Sequence, residues 1–177
     1  VRYWRFLSGA VRGDLGRSFV SNRPVSAEIM EQVPRTIELA VAGMGIATVV
    51  GLTAGILSAL NQNTWVDELS MAAAMVGVSM PIFWLGPLLI LVFAIRLGWL
   101  PALGQGSSMS LVLPAVTLGM LPAASIARMV RSSMLEVLRQ EYIVTAKAKG
   151  LRQQSVIVRH ALKNALLPTI TIIGMNM

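Results

Sequence analysis

Apolar residues in this chain fall in long blocks that charged residues avoid. Residues 39–60 run for 22 positions without a charge, residues 69–95 for 27, and residues 111–127 for 17 before Arg128. A fourth block, residues 165–177, extends 13 positions to the last residue of the sequence. A helix that crosses a bilayer needs about 20 mostly apolar residues. The blocks therefore predict four membrane helices, joined by residues 61–68, residues 96–110 and a long polar segment, residues 128–164. A closed barrel would need strands of about ten alternating residues, and that alternation is missing. The expected fold class is an all-α polytopic membrane protein.

Composition agrees with the pattern. Of 177 residues, 55% are hydrophobic and 13% charged, and the mean hydropathy is +0.68. Soluble domains carry about 25% charged residues. The absence of Cys excludes disulfides, thiolate catalysis and Cys-based metal sites. The sequence opens on Val1, ends within an apolar block and shows no secretory signal in its first 34 residues. It reads as an internal piece of a longer protein, with residues 1–38 following an earlier span and residues 165–177 starting a truncated one.

Within the first block, Gly43, Ala47, Gly51, Gly55 and Ala59 recur every four residues. That spacing lays one smooth stripe along a helix, where another helix can approach closely. The stripe is expected to pack inside the protein. Pro81, Pro87, Pro114 and Pro122 lie inside apolar blocks and predict kinks. No block carries an ionisable residue at its centre, unlike the core of a proton-driven transporter.

The net charge of +7 is unevenly placed. The polar segment holds Arg128, Arg131, Arg139, Lys147, Lys149, Arg152, Arg159 and Lys163, eight of the 15 Lys and Arg. Its side of the membrane also takes residues 61–68, which have none; the opposite side has Arg96, plus Arg23 and Arg35 in the last twenty residues before the first span. An excess of Lys and Arg marks the cytoplasmic face. Residues 128–164 are thus expected in the cytoplasm and residues 1–38 outside, with Gln154 inside and Gln105 outside.

Residues 132–148 have helical periodicity, with Met134, Leu135, Leu138, Tyr142 and Ala146 on one stripe. Lys147 and Lys149 precede Gly150, the pattern of a helix stop. A second helical pattern, Val158, Ala161, Leu162, Ala165 and Leu166, leads into the last block. The segment reads as helix, glycine turn, helix. It could lie on anionic lipid or dock a cytoplasmic partner.

The stretch "EYIVTAKAKGLRQQSVIVRHALKNALLP" resembles the cytoplasmic loop of bacterial ABC-importer permeases, the EAA loop. "GDLGRSF" (residues 13–19), "LGWLPALG" (97–104) and "LPAVTLG" (113–119) resemble the dipeptide/oligopeptide branch, whose relatives also carry nickel or glutathione. The general loop has Glu where this chain has Val144, and a shorter interval than the eighteen residues from Gly150 to Pro168. The peptide branch resembles this chain in both respects.

The resemblance implies a type I ABC-importer-like helix bundle, of which this chain would hold about four of six helices. It implies a bacterial or archaeal inner-membrane permease subunit, importing a peptide or a related small solute. The partners would be a second, homologous permease, two cytoplasmic ATPases and an extracytoplasmic substrate-binding protein. ATP and magnesium would sit on the ATPases, with no cofactor, metal or catalytic residue here. The sequence agrees: a P-loop needs a Gly-rich turn followed by Lys and Ser or Thr, and none of the three lysines lies in one. The loop expected to contact the ATPase comprises Glu141, Tyr142, Thr145, Ala146, Lys147, Ala148, Lys149, Gly150 and Leu151. Tyr142, Thr145 and Ala146 would form the seat, small Ala146 and Ala148 would allow close approach, and Gly150 would turn with a positive φ.

Two other classes fit less well. An embedded enzyme needs nucleophile, base or metal groups converging in a span. The single His, His160, lies in the polar segment, and Asp67 and Glu68 at a span edge. The eleven Met are scattered among apolar neighbours and read as packing. Nucleic-acid binding would want aromatic stacking beside the cations, and the segment offers only Tyr142.

Overall fold

A computed structural model describes residues 2–102 and 108–175; Gln105, Gly104 and the last two positions lie outside the described residues. Hydrogen bonding within single segments satisfies the backbone, as lipid requires. The chain divides into two units, residues 1–39 and residues 40–177.

The first unit holds helix α1 (Arg2–Val11) and the start of α2 (Val25–Leu60). Between them, the "GDLGRSF" stretch is a chain of tight turns. Gly13 and Gly16 have φ of 82° and 79°, where a side chain is costly. Asp14 caps its turn by accepting from the Gly16 amide at 3.0 Å. Arg17 pairs with Pro24 in an isolated bridge.

The second unit is built around α5 (Val112–Leu138). The small-residue stripe of α2 faces it. A Cβ placed on Gly51 would lie 2.7 Å from the Ile126 side chain, and one on Gly55 would lie 2.6 Å from the Ala127 carbonyl. Gly43 meets Ala115, and Gly119 of α5 returns the contact, 2.6 Å from the Gly43 carbonyl. Contacts advance together along both helices, so α2 and α5 run parallel with their backbones nearly touching. Ala47 in the middle is fully buried.

The second apolar block is not the single kinked span expected from its 27 uncharged residues. It forms α3 (Trp65–Ser79) and α4 (Ile82–Leu89), the latter continuing as a π-helical stretch (Ile90–Arg96), with a bend of 108° between the two halves. The cause is Pro81. Proline lacks an amide donor and drives the residue before it out of the helical region, and Met80 is extended, with φ −75° and ψ 122°. The two halves nevertheless pass along α5 in sequence. Asp67 meets Arg131, Gly77 meets Ala124 and Met120, Gly86 meets Thr117, and Pro87 and Ile90 share a cleft with Leu113 and Pro114. The pair traverses the whole length of α5 in the opposite direction, as one broken span.

The third block is also longer than expected. Helix α5 continues past residue 127 to Leu138, so the first half of the predicted 132–148 helix belongs to the span. The chain breaks at Arg139 and Gln140, where Gln140 is extended (φ −69°, ψ 147°), and α6 (Glu141–Ala148) begins. A one-turn helix, α7 (Gln153–Ser155), and a π-helical stretch (Val156–Leu162) lead into α8 (Lys163–Met175), which packs on α5. The inward face there is Val156, Ala161 and Ala165; Val158, placed inward by the sequence pattern, is 61% exposed. The π-helical turn shifts the register and brings Val156 inward instead. Helices Val25–Leu60, Ser108–Leu138 and Gln153–Met175 are each long and apolar enough to cross a membrane, and the α3–α4 pair is a fourth when its two halves are taken as one span.

Candidate functional site

Two groups of residues meet at one end of this unit. The first is α6 and its turn. Ile143 is fully buried and Ala146 is 8% exposed; both join the core formed by Val130, Met134 and Val156. The inward position of Ala146 corrects its expected role as part of a partner's seat. Its small side chain instead lets α6 sit close to the protein's own core. The outward surface is Glu141, Tyr142, Val144, Thr145, Lys147 and Ala148, all exposed. Val144, noted in the sequence only as a departure from Glu, is the large apolar residue on that surface.

The turn is closed by hydrogen bonds that leave no orphaned helix end. The Gly150 amide donates to the Lys147 carbonyl at 2.9 Å and the Leu151 amide to the Ala146 carbonyl at 3.3 Å. This pair of reversed bonds requires a left-handed residue between them, and Gly150 supplies it with φ 75°. Lys149 and Leu151 are exposed on either side. The Tyr142 hydroxyl accepts from Asn164 Nδ2 at 2.9 Å, tying α6 to α8. His160 is half-buried, and its carbonyl accepts from the same Asn164 at 3.2 Å.

The second group was not visible in the sequence. Asp67, 4% exposed, lies at the start of α3. Arg131 reaches it from α5 with both Nε and Nη2 at 2.7 Å, one to each carboxylate oxygen. Ser58 Oγ of α2 donates to Oδ1 at 2.5 Å, and the Asn63 amide donates to Oδ2 at 3.1 Å. The carboxylate thus takes four hydrogen bonds from α2, the 61–64 turn and α5. A bidentate Arg–carboxylate pair combines strength with fixed geometry, and full pairing is what makes burying the charge tolerable. Asn63, with φ 61°, turns the chain so that its amide points at the acid. Arg131 had entered the sequence reading only as a count toward orientation, and Asp67 only as a span-edge acid.

Residues 51–177 match the family of binding-protein-dependent transport system inner membrane components. The chain belongs to this family. The match takes in all three side chains of the acidic network and all of α6 and its turn. The chain is 44% identical over 175 residues to the glutathione transport system permease protein GsiC of Escherichia coli, covering 99% of this chain and 57% of that protein. It is 44% identical over 204 residues to the dipeptide transport system permease protein DppB of Alkalihalophilus pseudofirmus, covering 99% of this chain and 61% of that one. The chain therefore spans about three-fifths of the length of these relatives. Together, the family and the apolar helices make it a multi-pass inner-membrane component.

Proposed function

We propose that this chain is part of a permease subunit in an ATP-driven importer, and that α6 with its glycine turn is the element on which a cytoplasmic ATPase acts. The observation that carries this reading is the two-sidedness of α6. Its inner face, Ile143 and Ala146, is buried in one core with Val130 and Met134 of α5 and Val156, while its outer face is exposed. Packed interiors transmit displacement because they have few voids to absorb it. A partner that grips Val144, Thr145, Lys147 and Ala148 would therefore move α5 and α8 together. The turn of residues 61–64 lies at the same end as this segment, through Asp67 and Arg131. That fits a cytoplasmic placement of both, with eight Lys and Arg near span ends on that side against three on the other.

A second, homologous permease would complete the path, two ATPases would supply the energy from bound ATP and magnesium, and a binding protein would deliver the solute from outside. The solute is a peptide or peptide-like compound. Relatives named for dipeptide and for glutathione support this class, glutathione being itself a peptide; they speak less for nickel.

The test is reconstitution of the full-length permease with its ATPases, second permease and binding protein in proteoliposomes. ATP-dependent uptake of a labelled dipeptide or of glutathione is expected. Gly150→Val should leave the complex assembled. A left-handed φ costs a residue with a side chain about 1–2 kcal/mol, which on the docked state is a roughly tenfold loss of substrate-stimulated ATP hydrolysis. Val144→Asp, on the outer face, should act in the same direction. Uptake independent of ATP would overturn the importer reading, and full stimulation in both variants would overturn the role of α6.

A further inference from the structure

The network at Asp67 occupies a particular place in the bundle. Beyond it, α2, α3 and α5 separate around a cleft of about 410 Å³, lined by Val50, Thr53, Ala54, Ala73, Met120 and Ala123 among others. On its α5 side helix α3 is packed, with Ala74 and Gly77 buried and Gly77 beside Ala124 and Met120, where an added Cβ would make ordinary contacts of 3.8 Å. At its far end α3 stops at Met80 and Pro81, in the 108° bend to α4. The cleft lies on its α2 side, the break lies at its end, and a buried charged tie to α5 lies at its beginning, at Asp67. The residue that holds it, Arg131, lies one turn before Met134, the fully buried α5 side chain that joins the same core as Ile143 of α6.

From this arrangement we infer that Asp67 and Arg131 are a positioning pair for transport. They make α3 follow α5 when α6 is moved, so that the Met80–Pro81 break, and not the Asp67 end, takes up the change in angle. Ser58 and the Asn63 amide keep the acid aimed at Arg131 while it is under load. The pair acts through helix positions and touches neither solute nor nucleotide. This rests on the permease reading above, since it assigns a route for motion that begins at α6.

The bidentate geometry makes the idea testable apart from plain stability. Asp67→Asn keeps a side chain of the same shape that accepts from Ser58 or Arg131, but loses the charge and one acceptor. Arg131→Lys keeps the charge and loses the fork. Both are measured in the complete reconstituted complex, beside the double variant Asp67→Asn/Arg131→Gln, which leaves no unpaired charge. Assembly and basal ATP hydrolysis should stay near those of the unaltered complex. Solute moved per ATP hydrolysed should fall roughly tenfold or more, since loss of a buried pairing is worth more than one decade. As a second readout, spin labels at Met75→Cys on α3 and Arg128→Cys on α5 report their separation. In the unaltered complex the separation should stay constant between the nucleotide-free and ATP-trapped states; in Asp67→Asn it should change.

If transport per ATP and label separation are unaltered in all three variants, the pair has no positioning role. If assembly and basal hydrolysis fall in proportion to transport, the pair is only structural. If the unaltered complex itself shows no ATP-driven uptake, the permease reading has failed instead.

Discussion

Along α2, helix α5 lies backbone against backbone; along α3, it packs at ordinary side-chain spacing, with a buried ion pair at one end. The first contact is made by glycines and alanines every four residues, with an added Cβ at Gly55 falling 2.6 Å from a carbonyl. The second has a charged pair at one end and, at Gly77, ordinary contact distance for an added Cβ. Close contact over a whole helix length leaves no low-energy way to slide or tilt, because each small residue fits one position on the partner. Along α3, Gly77 has ordinary spacing for an added methyl, whereas Gly51 and Gly55 of α2 have none, so α5 has one tighter and one looser neighbour.

The contrast is broken most severely at Gly55. Gly55→Leu would push a branched side chain into Ala127 and Val130, and overpacking of this kind costs about 3 kcal/mol. Thermal unfolding of the purified protein in detergent should shift well downward, with reduced membrane yield. Gly119→Ala is a milder version. Its single added carbon meets the Gly43 carbonyl at 2.6 Å, and a loss of about 1–2 kcal/mol is expected, read by the same unfolding assay. Gly77→Ala, on the looser α3 side, should do the reverse. Its Cβ makes only ordinary contacts, so the gain in helix propensity of about 0.5–1 kcal/mol should survive. Val49→Leu, on the 64% exposed outer side of α2, should change stability by less than about 0.5 kcal/mol. If Gly77→Ala proved as damaging as Gly119→Ala, the two sides of α5 would not differ in tightness.

Much of this could be read in the order of residues. The Gly43–Gly55 stripe reads directly as a helix-packing face, since spacing by four places residues above one another on a helix. Gly150 reads as a left-handed turn because the preceding Lys-rich helix end and the glycine are adjacent. The choice of inward residue on α6 did not read out. Ile143 and Ala146 lie three apart and Tyr142 and Ala146 four apart, so both pairs are compatible with helical spacing. Only the position of Met134 and Val156 selects the first. The length of α5 was misjudged for a related reason: Arg128 ends an apolar block, yet a charged residue does not end a helix. The break after Leu138 instead comes at Arg139 and Gln140.

The sequence by itself determined that the chain holds helices long and apolar enough to cross a membrane. Hydrocarbon thickness sets a length, and a run of apolar residues either meets it or does not; no distant residue enters that comparison. It also determined the φ of Gly150, a property of one turn. Only the tertiary structure decided that Asp67 pairs with Arg131, 64 positions away, that a cleft opens between α2 and α3, and that Val144 faces outward while Ala146 faces inward. An ion pair leaves no trace in local propensity, since an acid at a helix start and an arginine near a helix end are each favourable alone. Their meeting depends on α3 running back along α5 in register, and that register is set by the packing of whole helices.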